Sequence, residues 1–460
     1  MSHHEDDGHV SIERPLSRRG LLKAGGALGV TVLGGGLLSA CGSSGSSGAS
    51  NATSSGGSGK GIRPGLGREL ADALGVTDQD AKLAAGKTWK LGVCLPLTGQ
   101  GAAYGLTQGS GVKLAAKHIA LAGGPQIDYV EKDNKSGDAT AGALIGRQLG
   151  ASKVGAQITS FVGVLGAEVP SIGAYKIMSL DPGGSVGAYT GKPYFWGSRA
   201  QPPQDIFAGE FAYLAKAHPE MKRVFLCFPD EGDATTKSYM EAFNAAIKAG
   251  GQQIVGTAKS AYGATDYSAA IRKLKAAGQI DVVKLVAYGT DSGYFMKQYA
   301  AAGLKTQVLG SELTSDAQKI AGSAYDGMWF ASDYFDASSA KNPLAKIFVR
   351  EYEKQYGKLN PENYYSANYY ESTLALWELA RRVLAKGGDL NDGTALQNEL
   401  VANPTVKSVY GGTTSEVGTM TFNTTSHGLK DRACGIFKIQ GTTVTPMASF
   451  DIGGRDLKIL

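Results

Sequence analysis

The sequence has few cysteines and no concentration of basic residues after its first segment. Only four cysteines occur among 460 residues, and their spacing matches no metal site. No cluster of Lys and Arg with interleaved aromatic residues occurs beyond residue 60, and the formal net charge is only +5. A disulfide-rich scaffold is therefore excluded. The sequence therefore lacks the cluster of basic residues that binding to a nucleic acid requires.

Motifs of several enzyme classes are also missing. No H-E-x-x-H and no G-x-x-x-x-G-K-[ST] pattern occurs, so metalloproteases and nucleotide hydrolases lack their ligands. Residues 183–187 do satisfy G-x-S-x-G, the nucleophile motif of α/β-hydrolases, with Ser185 at its centre. In a chain with 65 glycines this match is weak, and the available base, His427, sits in a polar turn. We predict a protein without catalytic activity, cofactor or metal, and keep a serine hydrolase as the alternative.

Chain length and composition favour two folded lobes. With 460 residues, 42% of them hydrophobic and 19% charged, the chain can bury a large core. It is too long for one ordinary domain.

The three cysteines other than Cys41 lie in apolar, strand-like runs, which predicts buried free thiols.

The N-terminal segment has the layout of an export signal. Arg18 and Arg19, followed by Gly-Leu-Leu-Lys, precede residues 24–40, an uncharged stretch rich in Gly, Leu and Val. That stretch is too short and too rich in glycine for a membrane span, which needs about 20 apolar residues. It ends in Leu-Ser-Ala-Cys at residues 38–41, which resembles the bacterial lipobox. We predict a twin-arginine lipoprotein signal peptide over residues 1–40 and a lipidated Cys41 that anchors the protein to the outer face of the cell membrane.

The residues after Cys41 have the composition of a tether. Residues 42–60 carry almost no apolar side chains and cannot repay the entropy cost of ordering. We assign residues 41–87 to the lipidated cysteine and its Gly/Ser-rich tether. A small helix around 69–74 is expected within the last part, without a functional interpretation.

From residue 88 onward, strand and helix signals alternate. Short apolar runs are separated by segments of helix or loop length, which predicts parallel sheets covered by helices. The strand candidates are residues 90–97, 127–133, 156–163, 175–180, 194–198, 223–228, 253–257, 281–289, 307–311 and 327–332. Residues 198–203 and 332–339 break the pattern and are candidate crossovers. We predict lobe 1 from residues 88–201 and 333–408, and lobe 2 from residues 202–332 and 409–460.

Three segments of this body resemble a known family. They are KLGVCLPLTGQGAAYG at 90–105, AYGATDYSAAIRKLKAAGQIDVV at 261–283 and YAAAGLKTQVLGSEL at 299–313. In this order they are similar to the branched-chain amino-acid-binding proteins, which are type I periplasmic solute receptors. The resemblance implies an α/β fold of two Rossmann-like lobes with a hinge of three crossover strands, closing on a small ligand. It also implies an ABC permease as partner.

The resemblance also implies ligand contacts. Tyr104 and Tyr288 match tyrosines that border the family's cleft, and Glu312 matches the carboxylate that receives the ligand's ammonium group. Segment 181–185, with Gly183, Gly184 and Ser185, matches the segment that grips the ligand carboxylate through backbone N–H groups and a hydroxyl. The alternatives are an ordinary loop or core aromatic, a solvated glutamate and a plain turn.

Some positions depart from the family pattern. Gly163, also a predicted contact, lies in segment 161–167, which has no hydroxyl where the family usually shows serines and a threonine. A tyrosine expected near 229–234 is replaced as well. The ligand is therefore predicted as an amino acid or related compound, and an amide, a urea-like compound or an aromatic acid stays open. A ring from the tyrosine-rich segment 363–370 could stack on an aromatic ligand. A sensor or adhesion module with the same fold is a further alternative.

Overall fold

The first part of the chain folds into a sheet of five parallel strands. The computed structural model describes residues 61–160, 162–183, 189–200, 205–230, 233–337, 340–359, 364–413, 417–441 and 443–460. The strands are β1 (Thr88–Leu95), β2 (Gln126–Asp133), β3 (Ala156–Ile158), β4 (Met178–Asp181) and β5 (Phe195–Gly197). They lie in the order β2-β1-β3-β4-β5, and every pairing is parallel.

Hydrophobic cores lie on both faces of this first sheet. Leu91, Val93 and Leu95 of β1 belong to one core and Cys94 to the other, as the alternation of side chains along a strand requires. The helices α1 (Leu66–Leu74), α2 (Asp78–Ala84) and α3 (Ala102–Leu121) contribute to the first core, and α4 (Ala139–Ala151) and α5 (Val162–Tyr175) contribute to the second. Because both faces are covered, β1 reads as an almost continuous apolar run.

The second sheet has eight strands. They are β6 (Arg223–Pro229), β7 (Gln253–Ser260), β8 (Val282–Leu285), β9 (Gln307–Gly310), β10 (Trp329–Asp333), β13 (Ala433–Gln440), β14 (Thr443–Asp451) and β15 (Arg455–Ile459). Their order in the sheet is β15-β14-β13-β10-β9-β8-β6-β7. Strands β10, β9, β8, β6 and β7 are parallel to one another, whereas β13, β14 and β15 each pair antiparallel with their neighbours. Its helices are α6 (Phe207–Ala217), α7 (Asp233–Gly250), α8 (Ser268–Ala276), α9 (Asp291–Ala301) and α10 (Ser315–Ala321).

Between β10 and β13 the chain returns to the first sheet. It forms α11 (Pro343–Tyr356), α12 (Tyr365–Ala385), α13 (Gly393–Ala402) and the antiparallel pair β11 (Thr405–Lys407) and β12 (Thr419–Thr421). Phe348, Leu376 and Met420 from this part lie in the same core as β1. The chain therefore passes between the two sheets three times: after β5, after β10 and before β13.

The three connecting segments meet in a buried polar network. Arg432, in the third, donates from Nη2 to Glu371 Oε1 at 2.6 Å and to the Ser198 carbonyl of the first at 3.0 Å. The Arg432 and Glu371 side chains are fully buried. Asp333, at the start of the second segment, accepts from the Ala200 N–H at 3.1 Å. These bonds hold the three crossings against one another.

The predicted fold class is confirmed: the protein is α/β with parallel sheet cores. One predicted strand is much shorter than expected. The run 156–163 forms β3 only to Ile158, and α5 begins at Val162. A short apolar run fits a buried strand and a buried helix equally well, so periodicity could not separate the two.

The folded body begins earlier than the predicted tether suggests. Helices α1 and α2 occupy part of the segment 61–87, and Leu70 and Leu74 are buried in the core of the first sheet. An exposed ion pair joins Glu69 to Arg350 at 2.8 Å, and Asp80 accepts from Arg381 at 3.1 Å. The tether composition therefore extends at most to residue 60.

The packing of residues between 410 and 429 differs from the predicted boundary at residue 409, where the chain was expected to return to lobe 2. Tyr410, Met420, Phe422 and Leu429 all lie in the core of the first sheet. The chain joins the second sheet only with β13 at Ala433. By its packing, the segment between them goes with the first sheet, whereas the sequence analysis assigned it to the second.

The prediction of buried free thiols is confirmed for the described cysteines. Cys94, Cys227 and Cys434 are free and buried, and burial raises the pKa of each thiol. Cys41 and the predicted signal peptide lie outside the described residues. Within the described ranges, no helix combines the length and the apolar character that crossing a bilayer requires.

Candidate ligand-binding site

The site lies where segments that follow the strands of the two sheets contact each other. Tyr104 is on the first turn of α3, after β1 of the first sheet, and Glu312 comes two residues after β9 of the second. Tyr365, the first residue of α12, comes from the first sheet's side. Open α/β sheets bind ligands beyond the carboxyl ends of their strands, which is the position of Tyr104 and Glu312.

Glu312 is the centre of this contact. Its Oε1 accepts from the Tyr104 hydroxyl and from the Gly289 N–H at 2.7 Å, and its Oε2 accepts from the Tyr365 hydroxyl at 2.6 Å. Gly289 has a φ of 59°, a backbone conformation that favours glycine at this position. Glu312 is only 5% exposed. One buried carboxylate thus joins the two sheets through two phenols.

The two phenols remain protonated donors. Burial raises the pKa of Tyr104 well above its usual range, and the Glu312 carboxylate raises it further. Burial likewise raises the pKa of Tyr365. The rings stand nearly perpendicular, with centroids 5.4 Å apart. The arrangement forms an aromatic wall with a negatively charged group on it, which suits the ammonium group of a small ligand.

Tyr288 lies beside this cluster and interacts with a different partner. Its hydroxyl is 3.0 Å from the hydroxyl of Tyr239 on α7. The ring packs partly buried against the hydrophobic core of the second sheet. Its neighbour Gly289, not Tyr288 itself, donates the N–H that reaches Glu312.

The predicted carboxylate-gripping segment is described only in part. Gly184 and Ser185 lie outside the described residues, and for Gly163 the structure gives the backbone position in α5. Gly183, directly beyond β4, donates its N–H to Asp181 Oδ1 at 2.6 Å. A Cβ at Gly183 would lie 3.0 Å from the Tyr369 hydroxyl, so the segment packs closely on α12.

A second contact across the sheets borders the site. Gln100, in the loop after β1, donates from Nε2 to Asp291 Oδ1 at 2.8 Å. The other oxygen of Asp291 accepts from the Gly263 N–H at 2.9 Å. Burial raises the pKa of Asp291 to about 6, and the nearby Glu312 carboxylate contributes to this shift. This contact is therefore sensitive to mildly acidic pH.

Two small cavities adjoin the Glu312 cluster, each of about 30 Å³. The first is lined by residues that include Gln100, Tyr104, Gly289 and Thr314. The second lies toward the crossing segments and is lined by residues that include Arg199, Glu312, Ser332, Asp333, Tyr365 and Asn368. Five aromatic side chains line the second cavity: Phe330, Tyr364, Tyr365, Tyr410 and Phe437. The second cavity therefore combines aromatic walls with charges of both signs.

Arg199 is a site residue that the sequence analysis did not single out. It lies two residues beyond β5, inside the predicted crossover 198–203, and is 7% exposed. Its guanidinium carbon is 4.5 Å from the centre of the Tyr365 ring, and Nη2 donates to Ser332 Oγ at 3.2 Å. The sequence feature that could have identified Arg199 was its position directly after a strand candidate. The prolines that follow it favoured a plain crossover instead.

The hydrolase alternative lacks an oriented base. The Nδ1 atom of His427 faces the backbone carbonyls of Lys192 at 3.1 Å and Phe195 at 3.0 Å. The imidazole stacks on Trp196 with a centroid distance of 4.0 Å. In a Ser-His-Asp triad this nitrogen would face a carboxylate. The contacts of His427 fit a structural role, and Ser185 lies outside the described residues.

The described part of the chain also contains no group of three or more His, Cys, Asp or Glu placed to hold a metal ion.

The chain is similar in sequence to known proteins. The sequence pattern of the periplasmic binding protein family matches residues 88–430. The Leu/Ile/Val-binding protein homolog 3 of Brucella melitensis biotype 1 is 26% identical over 359 residues, covering 76% of this chain and 90% of that protein.

Solved structures are similar over most of the described chain. The branched-chain amino acid transporter substrate-binding protein LivJ of Streptococcus pneumoniae, in complex with isoleucine, superposes with a TM-score of 0.66 at 22% identity, covering 81% of this chain and 99% of that one. A solute-binding protein of an ABC transporter from R. palustris, in complex with benzoate, gives 0.65 at 20% identity, with 80% and 96% covered. At these identities the structures establish the shared fold.

Proposed function

Because the chain belongs to the periplasmic binding protein family, we propose that it is an extracytoplasmic solute receptor that delivers a small polar ligand to an ABC importer. The observation that carries this proposal is the Glu312 cluster, in which Tyr104 and Tyr365 from one sheet meet a buried carboxylate from the other. A ligand bound at this contact touches both halves of the protein at once. Capture of this kind needs no covalent step.

The proposed mechanism is closure of two lobes on the ligand. A ligand that contacts both lobes binds the closed form better than the open form, and it shifts the equilibrium by that difference in affinity. The three crossing segments serve as the hinge, and a membrane permease recognises the closed form. Tyr104, Tyr288 and Glu312 are the proposed ligand contacts, and Gly163, Gly183, Gly184 and Ser185 stay sequence predictions.

An amino acid or a related compound is the proposed ligand. The buried Glu312 carboxylate offers a site for an ammonium group. One relative is named as a Leu/Ile/Val-binding protein homolog, and one similar structure holds isoleucine. An aromatic acid is the second candidate. It is favoured by the aromatic lining of the cavity beside Arg199 and by the similar protein that holds benzoate.

Thermal unfolding of the purified protein with single ligands tests this proposal. A ligand that binds the native state raises its stability by RT ln(1 + [L]/Kd), about 2.7 kcal/mol at a concentration of 100 Kd. We expect at least one amino acid or aromatic acid to raise the Tm, and polyamines to leave it unchanged. A flat response to amino acids, amides and aromatic acids alike would contradict the proposed ligand class.

We also propose that Cys41 carries the lipid anchor after removal of residues 1–40. The support is the twin-arginine segment followed by Leu-Ser-Ala-Cys at 38–41. Each buried methylene of an acyl chain contributes about 0.8 kcal/mol, so two or three chains hold a protein firmly on a bilayer. The Cys41→Ser variant is expected in the soluble extracellular or periplasmic fraction while the wild type stays with membranes. Equal partitioning of the two proteins would rule the anchor out.

A further inference from the structure

The segment predicted to grip a ligand carboxylate already holds a carboxylate of the protein itself. The Gly183 N–H donates to Asp181 Oδ1 at 2.6 Å, and Asp181 is fully buried at the end of β4. A ligand carboxylate placed there would come close to a like group, which is electrostatically unfavourable. Segment 161–167 offers no hydroxyl to offset this cost, although the buried Ser160 hydroxyl lies beside Gly183. A cation would be a stronger partner for the ligand's acidic group, because a charge-assisted hydrogen bond is about twice as strong as a neutral one.

Arg199 provides a positive charge in the cavity that Glu312 also lines. Among the described residues that line the second cavity, it is the one cation. A guanidinium stays charged at any physiological pH and presents a planar fork of N–H donors that matches a carboxylate. Its neighbour Asp333 lies 3.8 Å away, measured from Arg199 Nε to Asp333 Oδ2, which is too long for a hydrogen bond.

The oxygens of Asp333 are bonded to neutral donors instead. Oδ1 accepts from the Ala200 N–H at 3.1 Å, and Oδ2 accepts from Asn368 Nδ2 at 2.8 Å. The side chain of Asp333 is 2% exposed, so these bonds fix its orientation. Arg199 is therefore held near a balancing charge without forming a bidentate pair with it.

Tyr365 contacts two of the three charged side chains of the cavity, Glu312 and Arg199. Its hydroxyl donates to Glu312 Oε2 at 2.6 Å, while the Arg199 guanidinium lies 4.5 Å from the centre of its ring. An anionic site and a cationic site thus flank one aromatic ring. An α-amino acid carries both an ammonium and a carboxylate, and an aromatic acid carries a carboxylate next to a ring.

We infer that Arg199 binds the carboxylate of the ligand and restricts this receptor to small carboxylic acids. The inference rests on the proposed function and adds the residue that sets ligand class. The same acid with its carboxylate converted to a neutral amide loses the charge-assisted bonds to the guanidinium, which are about twice as strong as neutral ones. Amides should consequently bind far more weakly than their parent acids.

Calorimetric titration with two matched ligand pairs tests this inference. The pairs are L-leucine with L-leucinamide and benzoate with benzamide. For the wild type we expect the acid of the pair that binds to have an affinity about 10- to 100-fold above that of its amide. In Arg199→Met the ratio should fall to about 3-fold or less, chiefly through weaker binding of the acid. Arg199→Lys, which keeps the charge but loses the fork, should give an intermediate ratio.

The controls separate a binding role from a structural one. Arg350→Met makes the same change at a half-exposed arginine paired with Glu69, and it should leave the acid-to-amide ratio at the wild-type value. If Arg199 had only a structural role, its replacement would weaken the binding of acid and amide equally. The acid-to-amide affinity ratio of Arg199→Lys would then equal that of the wild type, and this result would overturn the inference. Wild-type protein that binds an amide as tightly as its acid would also overturn it, while leaving the proposed receptor function intact. Binding of none of the four probes would contradict the proposed ligand class itself, and the inference with it.

Discussion

The Lys284→Met variant is expected to lose about 3–5 kcal/mol of its free energy of unfolding. Lys284 on β8 and Glu210 on α6 form an ion pair with an Nζ–Oε1 distance of 2.5 Å, and their side chains are 1% and 0% exposed. Burial raises the pKa of Glu210 and lowers that of Lys284. Without the lysine, Glu210 is left as a buried carboxyl group that must be protonated or remain as an uncompensated charge.

This ion pair also supports the site. Lys284 Nζ donates to the carbonyl of Gly310 at 3.1 Å, and Gly310 is the last residue of β9, two positions before Glu312. The ammonium group thus links β8, which leads to Gly289, with β9, which leads to Glu312. We expect Lys284→Met to weaken ligand binding as well as stability.

Denaturant unfolding monitored by circular dichroism measures this loss. The double variant Lys284→Met, Glu210→Leu removes both charges and should recover most of the stability, because an apolar pair can replace a buried ion pair at little cost. Lys319→Met is the matched surface control. Its side chain is 75% exposed and its ammonium pairs with Asp316 at 3.2 Å, so the change should cost less than about 1 kcal/mol. A single variant as stable as this control would show that the buried pair contributes nothing.

Glu312→Gln is expected to weaken binding of an amine-bearing ligand by about 1.5–3 kcal/mol, or roughly 10- to 150-fold in Kd. The amide keeps the shape of the side chain, and one oxygen can still accept from the Gly289 N–H or from a phenol. Its charge is lost, however, and with it the charge-assisted bond to an ammonium group. The effect should be specific to ligands that carry an amine.

Titration of L-leucine and benzoate into wild type and variant measures this specificity. L-leucine should lose affinity, and benzoate, which has no amine, should keep its affinity within about 3-fold. Glu399→Gln provides a matched control, since this carboxylate on α13 pairs with Lys386 and its side chain is 12% exposed. Unchanged affinity for L-leucine in Glu312→Gln, with binding intact in the wild type, would remove Glu312 from the ligand site.

Local sequence patterns were sufficient to predict the fold class, whereas the candidate site residues came from the resemblance to the family. Alternating apolar runs and helical stripes placed most strands within a few residues, because each signal depends on neighbours in the chain. The resemblance to the family, not the local pattern, pointed to Tyr104 and Glu312, and these two residues do meet in the structure. Both follow strands at their carboxyl ends, where open α/β sheets bind ligands.

The rest of the site depends on contacts that local patterns do not encode. The bond from Tyr104 to Glu312 joins positions 208 residues apart, and the Arg199 and Ser332 side chains that meet are 133 residues apart. Arg199 was read as part of a crossover, because its prolines dominate the local signal. The bond from Gly183 to Asp181 is local, but the resemblance to the family pointed to a ligand carboxylate there instead. Hydrogen bonds between residues of the two sheets decide which polar side chains can bind a ligand.

Small-angle X-ray scattering of the purified protein, with and without saturating L-leucine or benzoate, tests the clamp most directly. If the two halves close around the ligand at Glu312, the radius of gyration falls when the ligand is added, and it does not fall in a variant that no longer binds that ligand. Tight calorimetric binding of either compound with scattering curves that superimpose would contradict the account.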